Sequence, residues 1–228
     1  ESHIIAANVD QAFLVVSLFL PSTNCEFIDR FLVTAEAYRI PVTLLLNKCD
    51  LYATDALQDA QTEFLKIYRS AGYEVIELSA TQQTGIDAFK KMLPGKTSLL
   101  SGNSGVGKST LIRAIDPSLD IRIGAVSASS SKGKHTTTFS EMYPLAGGGY
   151  LIDTPGIKGF GLIDIENDEI CRYFPDLFRY APRCGYYNCT HTHEPACAVR
   201  EALRAGEIGL SRYESYLKLL DDDQKYRK

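Results

Sequence analysis

The feature that most constrains this chain is residues 102–109, whose letters GNSGVGKS fit the pattern G-x-x-x-x-G-K-[ST]. An apolar run at 97–100 precedes the pattern, and a helical spacing of apolar residues from 108 to 116 follows it. A chance glycine-rich turn would rarely stand between a strand and a helix in that order. The segment predicts a loop that wraps phosphates with backbone N–H groups at a helix N-terminus. Lys108 is expected over the outer phosphates, and Ser109 is expected on Mg²⁺.

Apolar runs alternate with helix-like segments over the first two-thirds of the chain. Strands are predicted at 12–19, 42–46, 74–78, 97–100 and 150–152, and helices at 25–39, 55–71, 85–93 and 108–116. Near-continuous apolar strands separated by helices predict an α/β fold, with a mostly parallel sheet covered by helices on both faces. Residues 139–146 and 150–153, joined by three glycines, predict an antiparallel hairpin attached to that sheet.

The sequence changes character after about residue 162. Strand-like runs stop there, and helical patterns appear at 166–180, 194–204 and 211–220. We therefore predict two domains, an α/β domain over 1–162 and a small helical domain over 163–228.

Residues 47–50, with the letters NKCD, follow directly on a predicted buried strand. In open α/β sheets, this strand end is where ligands bind. The Asp50 carboxylate can accept hydrogen bonds from the ring N1–H and the 2-amino group of guanine, whereas adenine offers neither donor in that arrangement. N-K-x-D alone is a weak match, and a polar turn at a strand end is the alternative. Ser79 and Ala80, at a second strand end, supply the short turn that usually backs guanine in GTPases.

Residues 153–156, with the letters DTPG, follow the last predicted strand. Asp153 is the acidic strand-end residue expected on Mg²⁺, and Gly156 has an N–H that can meet the γ-phosphate. Thr136 or Thr137, in the loop before that strand, stands where a switch threonine on Mg²⁺ belongs.

The order of these five motifs is unusual. GTPases normally run P-loop, switch threonine, D-x-x-G, N-K-x-D and then the Ser-Ala turn. Here the last two come first and the other three follow, so the cyclic order is intact. Since domain termini often lie close together, a chain cut and rejoined elsewhere keeps the same sheet. The order predicts a circularly permuted GTPase domain.

Three cysteines and a histidine crowd into a short stretch of the second domain. Cys184, Cys189, His191 and Cys197 offer three thiolates and one imidazole, which suit a closed tetrahedral structural zinc site. His193 is a rival to His191 as the histidine ligand. The alternative to a metal site is that the cysteines are free and structural. The region after 162 has few aliphatic residues for a core of its own, so a bound metal ion could stabilise its fold.

The composition excludes several classes of protein. Hydrophobic residues make up 45% and charged residues 23%, unlike a disordered or collagen-like chain. No apolar run reaches the roughly 18 residues that a membrane span needs, and no signal peptide is recognisable. Six cysteines are too sparse for a disulfide scaffold and indicate a reducing compartment. With a net charge of −4, a polyanion would have to bind a local patch. We expect a cytoplasmic monomer that does not bind membranes.

With these residues assembled, the chain closely resembles the ribosome small-subunit-dependent GTPase A family (RsgA/YjeQ type) of bacterial circularly permuted GTPases. The resemblance covers nearly the whole chain. It rests on residues 6–11 (AANVDQ), 47–50, 102–110, 132–138 (KGKHTTT), 153–156 and the Cys184, Cys189, His191, Cys197 spacing. Family members usually begin with an OB-fold barrel, and no stretch of this sequence corresponds to one.

The resemblance implies a circularly permuted P-loop GTPase domain followed by a helical zinc-binding domain. It implies a GTP hydrolase that acts late in maturation of the small ribosomal subunit, is stimulated by that subunit and contacts its ribosomal RNA. One structural Zn²⁺ per chain, and Mg²⁺ with GTP, are the implied cofactors. The residues implied to contact GTP are Asn47, Lys48, Cys49, Asp50, Ser79, Ala80, Gly102, Asn103, Ser104, Gly105, Val106, Gly107, Lys108, Ser109 and Thr110.

The catalytic groups are less evident in the sequence. In many GTPases a glutamine after D-x-x-G orients the attacking water, but that position is Ile157 here. His135, beside the switch threonines, is the nearest polar candidate, although it could instead contact only RNA or solvent. We expect His135, Thr137 and Gly156 at the catalytic centre.

Two other functions stay open from the sequence. One is a zinc-stabilised RNA-binding module in which GTP only regulates docking. The other is a permuted GTPase that acts on another ribosomal particle. GTP turnover in the presence of purified small subunits separates them from the main hypothesis.

Overall fold

The computed structural model describes residues 8–119, 141–154 and 165–226, which fall into two compact units. The first unit takes its described residues from Glu1–Thr23, Ile40–Gln58 and Val75–Lys158, and the second from Asn24–Arg39, Asp59–Glu74 and Gly159–Lys228. A unit defined by contacts and a folding domain need not coincide. The domain boundary between residues 162 and 163 therefore stays a prediction.

A six-stranded sheet in the order β3-β2-β1-β4-β6-β5 is the centre of the first unit. The strands are β1 (Gln11–Val16), β2 (Val42–Leu46), β3 (Glu74–Glu77), β4 (Lys96–Gly102), β5 (Glu141–Pro144) and β6 (Gly149–Asp153). β1 is parallel to β2 and β4, β4 is parallel to β6, and β5 is antiparallel to β6. The mostly parallel sheet and the hairpin predicted from the sequence are confirmed.

The helices follow the predicted segments in the first two-thirds of the chain. Over the described residues of the whole chain, the α-helices are α1 (Cys25–Ala37), α2 (Asp55–Ser70), α3 (Ile86–Lys90), α4 (Lys108–Ile115), α5 (Pro175–Phe178), α6 (Ala198–Arg204) and α7 (Leu210–Tyr226). The helical pattern predicted at 166–180 does not form one continuous helix. A 3₁₀ turn (Ile170–Tyr173) and α5 are separated by Phe174, whose backbone has φ −113° and ψ 89° because a proline follows it.

The core of the first unit explains why the central strands are so apolar. All six residues of β1 are buried, as expected for a strand paired on both sides. Phe13 of β1 meets Phe89 of α3 edge-on, with ring centroids 4.7 Å apart, and Leu111 and Ile112 of α4 join the same cluster. This packing fixes α4, and with it the loop that precedes α4, against the carboxyl end of β4.

The second unit is organised around a buried arginine. Arg212 of α7 is 0% exposed and donates to Asp29 Oδ1 of α1 at 2.8 Å and to both carboxylate oxygens of Asp176 at 2.7 and 3.1 Å. Burial lowers the pKa of the guanidinium, but Asp29 and Asp176 outweigh it and raise the pKa well above its ordinary value. None of the described helices has the length and apolar character needed to cross a bilayer.

Candidate nucleotide-binding site and metal centre

The loop between β4 and α4 adopts a conformation that its glycines require. Gly107 has φ +104°, and a Cβ there would lie 2.4 Å from Nδ2 of Asn47. Gly102 has φ +149°, and a Cβ there would lie 2.4 Å from the carbonyl oxygen of Val15. Only glycine fits both the backbone and the space at these two positions. Backbone N–H groups can therefore line this loop and the first turn of α4, as a phosphate site needs.

Lys108 and Asp153 face each other at this end of the sheet. Lys108 Nζ donates to the carbonyl oxygens of Gly102 at 2.6 Å and Asn103 at 3.2 Å. Burial lowers the pKa of Lys108, and the nearby Asp153 carboxylate opposes that shift. The lysine thus lies against the carbonyl groups of the loop, with its charge near the acidic end of β6.

Asp153 has the features of a group that binds a cation. It ends β6, and burial raises its pKa, Lys108 lowers it and Glu141 raises it. Its Oδ1 atom is buried and has no hydrogen-bond partner among the described residues. Thr154 fixes this strand end, because its N–H and its hydroxyl both donate to Leu100 O at 3.1 Å. A carboxylate held in this way fits the oxygen ligands that Mg²⁺ prefers.

Asn47 joins three loops rather than projecting freely into the site. Its Nδ2 donates to Val106 O at 2.8 Å, and its Oδ1 accepts from the Ala80 N–H at 3.1 Å. The side chain is 2% exposed. Asn47 therefore fastens the end of β2 to the phosphate loop on one side and to the Ser79–Ala80 turn on the other.

The rest of the N-K-x-D segment makes a 3₁₀ turn at Cys49–Leu51. Lys48 has φ +67°, and its Nζ donates to Gly105 O at 2.8 Å and to Leu20 O. Asp50 is exposed in the turn, where its carboxylate is accessible to a ligand. Cys49 is half-buried, its thiol donates to Leu46 O at 3.2 Å, and burial raises its pKa to about 11, so it stays a neutral thiol.

The Ser79–Ala80 turn lies beside the same segment. Ser79 exchanges backbone hydrogen bonds with Thr84, and its hydroxyl accepts from the Gln82 N–H at 3.1 Å. Both Ser79 and Ala80 are buried. The structure thus brings together the phosphate loop, the N-K-x-D turn, the Ser-Ala turn and Asp153, although they are far apart in sequence.

The loop that follows β1 also contacts this site, although its sequence carries no recognised motif. Leu20 O accepts from Lys48 Nζ, and Leu18 N–H donates to the hydroxyl of Tyr52 at 2.9 Å. The order of the strands explains the position of this loop. β1 is paired between β2 and β4, so the loop after β1 must emerge between the two motif-bearing loops.

Several predicted site residues lie outside the described part of the chain. They are the switch threonines Thr136 and Thr137, the candidate water-positioning residue His135, and Gly156. Their roles stay predictions.

In the second unit, the four predicted metal ligands converge. One ligand atom from each of Cys184, Cys189, His191 and Cys197 lies within 4.8 Å of all the others. His191 Nδ1 is 3.6 Å from Cys184 Sγ and 3.5 Å from Cys197 Sγ, and the latter two sulfurs are 4.0 Å apart. Tetrahedral zinc with ordinary bond lengths would place nitrogen and sulfur about 3.6 Å apart and two sulfurs about 3.8 Å apart. The cluster could therefore hold a metal ion.

Two tyrosines of α7 hold the ligand loop in place. Tyr213 donates to His191 O at 2.6 Å and Tyr216 donates to Thr190 O at 2.8 Å. His191 has φ +60°, a backbone that few residue types adopt without such support. His193, the rival ligand, is exposed to solvent and its Nδ1 pairs with Thr192 Oγ1 at 2.8 Å. Tyr213 lies 22 residues after His191 and Tyr216 lies 26 residues after Thr190, so their role had no local sequence signal.

A mostly parallel sheet whose strand ends carry these motifs in rotated order defines a circularly permuted P-loop GTPase. A family model described as RsgA GTPase matches residues 1–163, so the chain belongs to the RsgA GTPase family and is a GTP hydrolase.

Individual relatives are similar over nearly the whole chain. The small ribosomal subunit biogenesis GTPase RsgA 2 of Bacteroides thetaiotaomicron is 53% identical over 229 residues, which cover 100% of this chain and 74% of that protein. The crystal structure of YjeQ from Thermotoga maritima has a TM-score of 0.79 at 39% identity and covers 94% of this chain and 71% of that one. YloQ, a circularly permuted GTPase, has a TM-score of 0.77 at 33% identity and covers 97% of this chain and 70% of that one.

Proposed function

We propose that this chain hydrolyses GTP as a switch in maturation of the small ribosomal subunit, and that the subunit and its ribosomal RNA stimulate the reaction. The observation that carries the proposal is the 53% identity, over the full length of this chain, to a protein named a small ribosomal subunit biogenesis GTPase. We place this activity in the cytoplasm and assign it to a monomer.

The geometry of the first unit supports the proposed nucleotide contacts. Residues 102–110 wrap the phosphates, and Lys108 turns its ammonium from the loop carbonyls toward the outer phosphates. Asp50 accepts hydrogen bonds from the guanine edge, while the Ser79–Ala80 turn backs the base. Asn47 keeps the base and phosphate contacts in register, because it bonds to both the phosphate loop and the Ser-Ala turn.

Mg²⁺ fits beside Ser109 and Asp153, with Thr136 or Thr137 as the predicted third ligand. When bound, the ion would neutralise negative charge on the β- and γ-phosphates. Asp153 offers an oxygen that is buried and otherwise unpaired among the described residues. Gly156 is proposed to supply a backbone N–H to the γ-phosphate.

For the metal centre we propose one structural Zn²⁺, bound by Cys184, Cys189, His191 and Cys197. Three thiolates and an imidazole prefer zinc over harder cations such as Mg²⁺. Four protein ligands leave no open position, so the metal would staple the fold rather than take part in catalysis.

The test is GTP turnover by the full chain, alone and with purified small subunits, with large subunits and Lys108→Ala as controls. We expect slow hydrolysis alone, stimulation by the small subunit and no activity in the variant. Stimulation by the large subunit alone would indicate that the chain acts on another ribosomal particle. Subunit binding without multiple turnovers would favour an RNA-binding module regulated by GTP.

A further inference from the structure

Tyr52 ends the base-recognition segment, and its side chain folds back to the segment's start. It is 4% exposed. Its hydroxyl donates to Asn47 O at 2.7 Å, and its backbone N–H donates to Cys49 O at 3.2 Å. The turn that carries Asp50 is therefore fastened at both ends through one residue.

The same hydroxyl reaches the loop that follows β1, residues 17–21. It accepts from the Leu18 N–H at 2.9 Å and lies 3.4 Å from Ser17 Oγ. The loop is closed by Thr23, which donates through its N–H to Ser17 O at 2.7 Å and accepts at Oγ1 from the Ser17 N–H at 3.0 Å. Ser17 and Thr23 are both buried, so these bonds are shielded from competing water.

Lys48 completes the connection between this loop and the phosphate loop. Its Nζ donates to Leu20 O and, at 2.8 Å, to Gly105 O. Pro21 is close as well, because a Cβ on Gly105 would lie 3.3 Å from Pro21 Cδ. Residues 17–21 therefore contact both the N-K-x-D turn and the phosphate loop.

We propose that Tyr52 is a positioning residue for base recognition, and that residues 17–21 line the base site together with the N-K-x-D turn and the Ser79–Ala80 turn. The proposal rests on the proposed contact between Asp50 and guanine. Without the Tyr52 hydroxyl, the turn can shift relative to the base, whereas the phosphate loop keeps its own glycines and its bond to Asn47. Base discrimination should therefore weaken while catalysis at saturating GTP persists.

The donor in this arrangement is present at physiological pH. Burial raises the pKa of the Tyr52 hydroxyl. This effect is larger than the lowering of the pKa by its hydrogen bonds to Leu18 and Ser17. The hydroxyl therefore stays protonated and donates a hydrogen bond to Asn47 O. Phenylalanine removes this donor with little change in volume, and it leaves the Asn47 carbonyl and the Leu18 N–H without that partner.

The experiment compares binding of GTP and inosine triphosphate, which lacks the 2-amino group that Asp50 would recognise. Tyr52→Phe should weaken GTP binding roughly 10-fold, the effect of losing one buried hydrogen bond. The GTP-to-inosine-triphosphate affinity ratio should move toward one, with turnover at saturating GTP changed less than about twofold. Thr23→Val, which opens the loop from its other end, should lower the ratio in the same direction.

The matched control is Tyr68→Phe, since Tyr68 is another buried tyrosine but donates to Asp29 in the second unit, at 3.1 Å. It should keep the wild-type ratio even if it lowers stability. Asp50→Asn tests the underlying site and should favour xanthosine triphosphate, whose 2-position carries an acceptor. Equal wild-type affinity for GTP and ATP would overturn the guanine site itself. A selective wild type with unchanged ratios in Tyr52→Phe and Thr23→Val would overturn only the role of Tyr52. If Tyr52→Phe does not fold, Thr23→Val decides.

Discussion

Asn47 donates a hydrogen bond from Nδ2 to Val106 O at 2.8 Å, which ties the base-recognition segment to the phosphate loop. The two residues are 59 positions apart. Because Gly107 follows Val106 directly, any side chain at position 107 would press on the Asn47 amide. Binding of base and phosphates is therefore coupled through one amide group in a buried position.

Gly107→Ala tests this coupling. The new Cβ would lie 2.4 Å from Asn47 Nδ2, so the amide must move and GTP affinity should fall by roughly 10-fold or more. The measurement is equilibrium GTP binding. Gly95→Ala is the matched control, because Gly95 also has a positive φ of +73° but has nothing within 4 Å of its Cβ. It should cost about 1 kcal/mol in stability and leave GTP affinity unchanged. Equal losses in both variants would mean that backbone strain alone is responsible.

Loss of the proposed zinc should destabilise the second unit. His191→Ala should lower the bound zinc well below one per chain and lower the melting temperature by about 10 °C, because metal binding contributes directly to folding. Elemental analysis and thermal unfolding measure both effects. His193→Ala is the control and should retain the metal, since His193 pairs with Thr192 outside the cluster. A strong chelator that leaves wild-type unfolding unmoved would argue against a structural metal.

His135 is predicted to orient the attacking water. Ile157 follows the D-x-x-G segment in place of glutamine, so hydrolysis needs another polar group or one from the subunit. A neutral imidazole in contact with the attacking water could do this. His135→Ala should lower subunit-stimulated turnover by roughly 10²-fold and leave GTP binding intact. Survival of stimulated turnover would assign water positioning to the ribosome.

Arg212→Met should be strongly destabilising. It leaves two buried carboxylates, Asp29 and Asp176, without their cation, which typically costs about 3–5 kcal/mol. Urea denaturation measures the change in the free energy of unfolding. Lys218→Met is the matched control, because Lys218 joins the same two helices through an ion pair with Glu26 at 2.9 Å, but is exposed. Its removal should change stability little. Comparable losses in the two variants would contradict the importance of burial.

Local patterns were enough to predict the sheet and the cluster of three cysteines and a histidine. The strand at 42–46 and the helix at 25–39 were found because their apolar spacing is regular. The cysteine spacing correctly predicted a cluster of three thiols and His191. In each case the signal lies within about 15 consecutive residues.

Contacts between distant residues were beyond this approach. Nothing near Tyr52 in the sequence indicates that its hydroxyl reaches Leu18, 34 residues earlier. Asn47 was predicted among the residues that contact GTP, but the sequence did not indicate that its amide bonds to Val106 and Ala80, which only the folded sheet brings together. The interruption of the helical pattern at Phe174 does have a local cause, because Pro175 restricts the backbone of the residue before it.

The pairing of Arg212 with Asp29 also sets an order of events during synthesis, because the two residues are 183 positions apart. At roughly 5–20 residues per second, about 10–40 s pass between translation of α1 and translation of its cation. Until then, Asp29 has no guanidinium to accompany it into an apolar environment, so α1 can form but cannot be buried at this position. Helix α1 thus completes its packing at this position only after α7 has been translated.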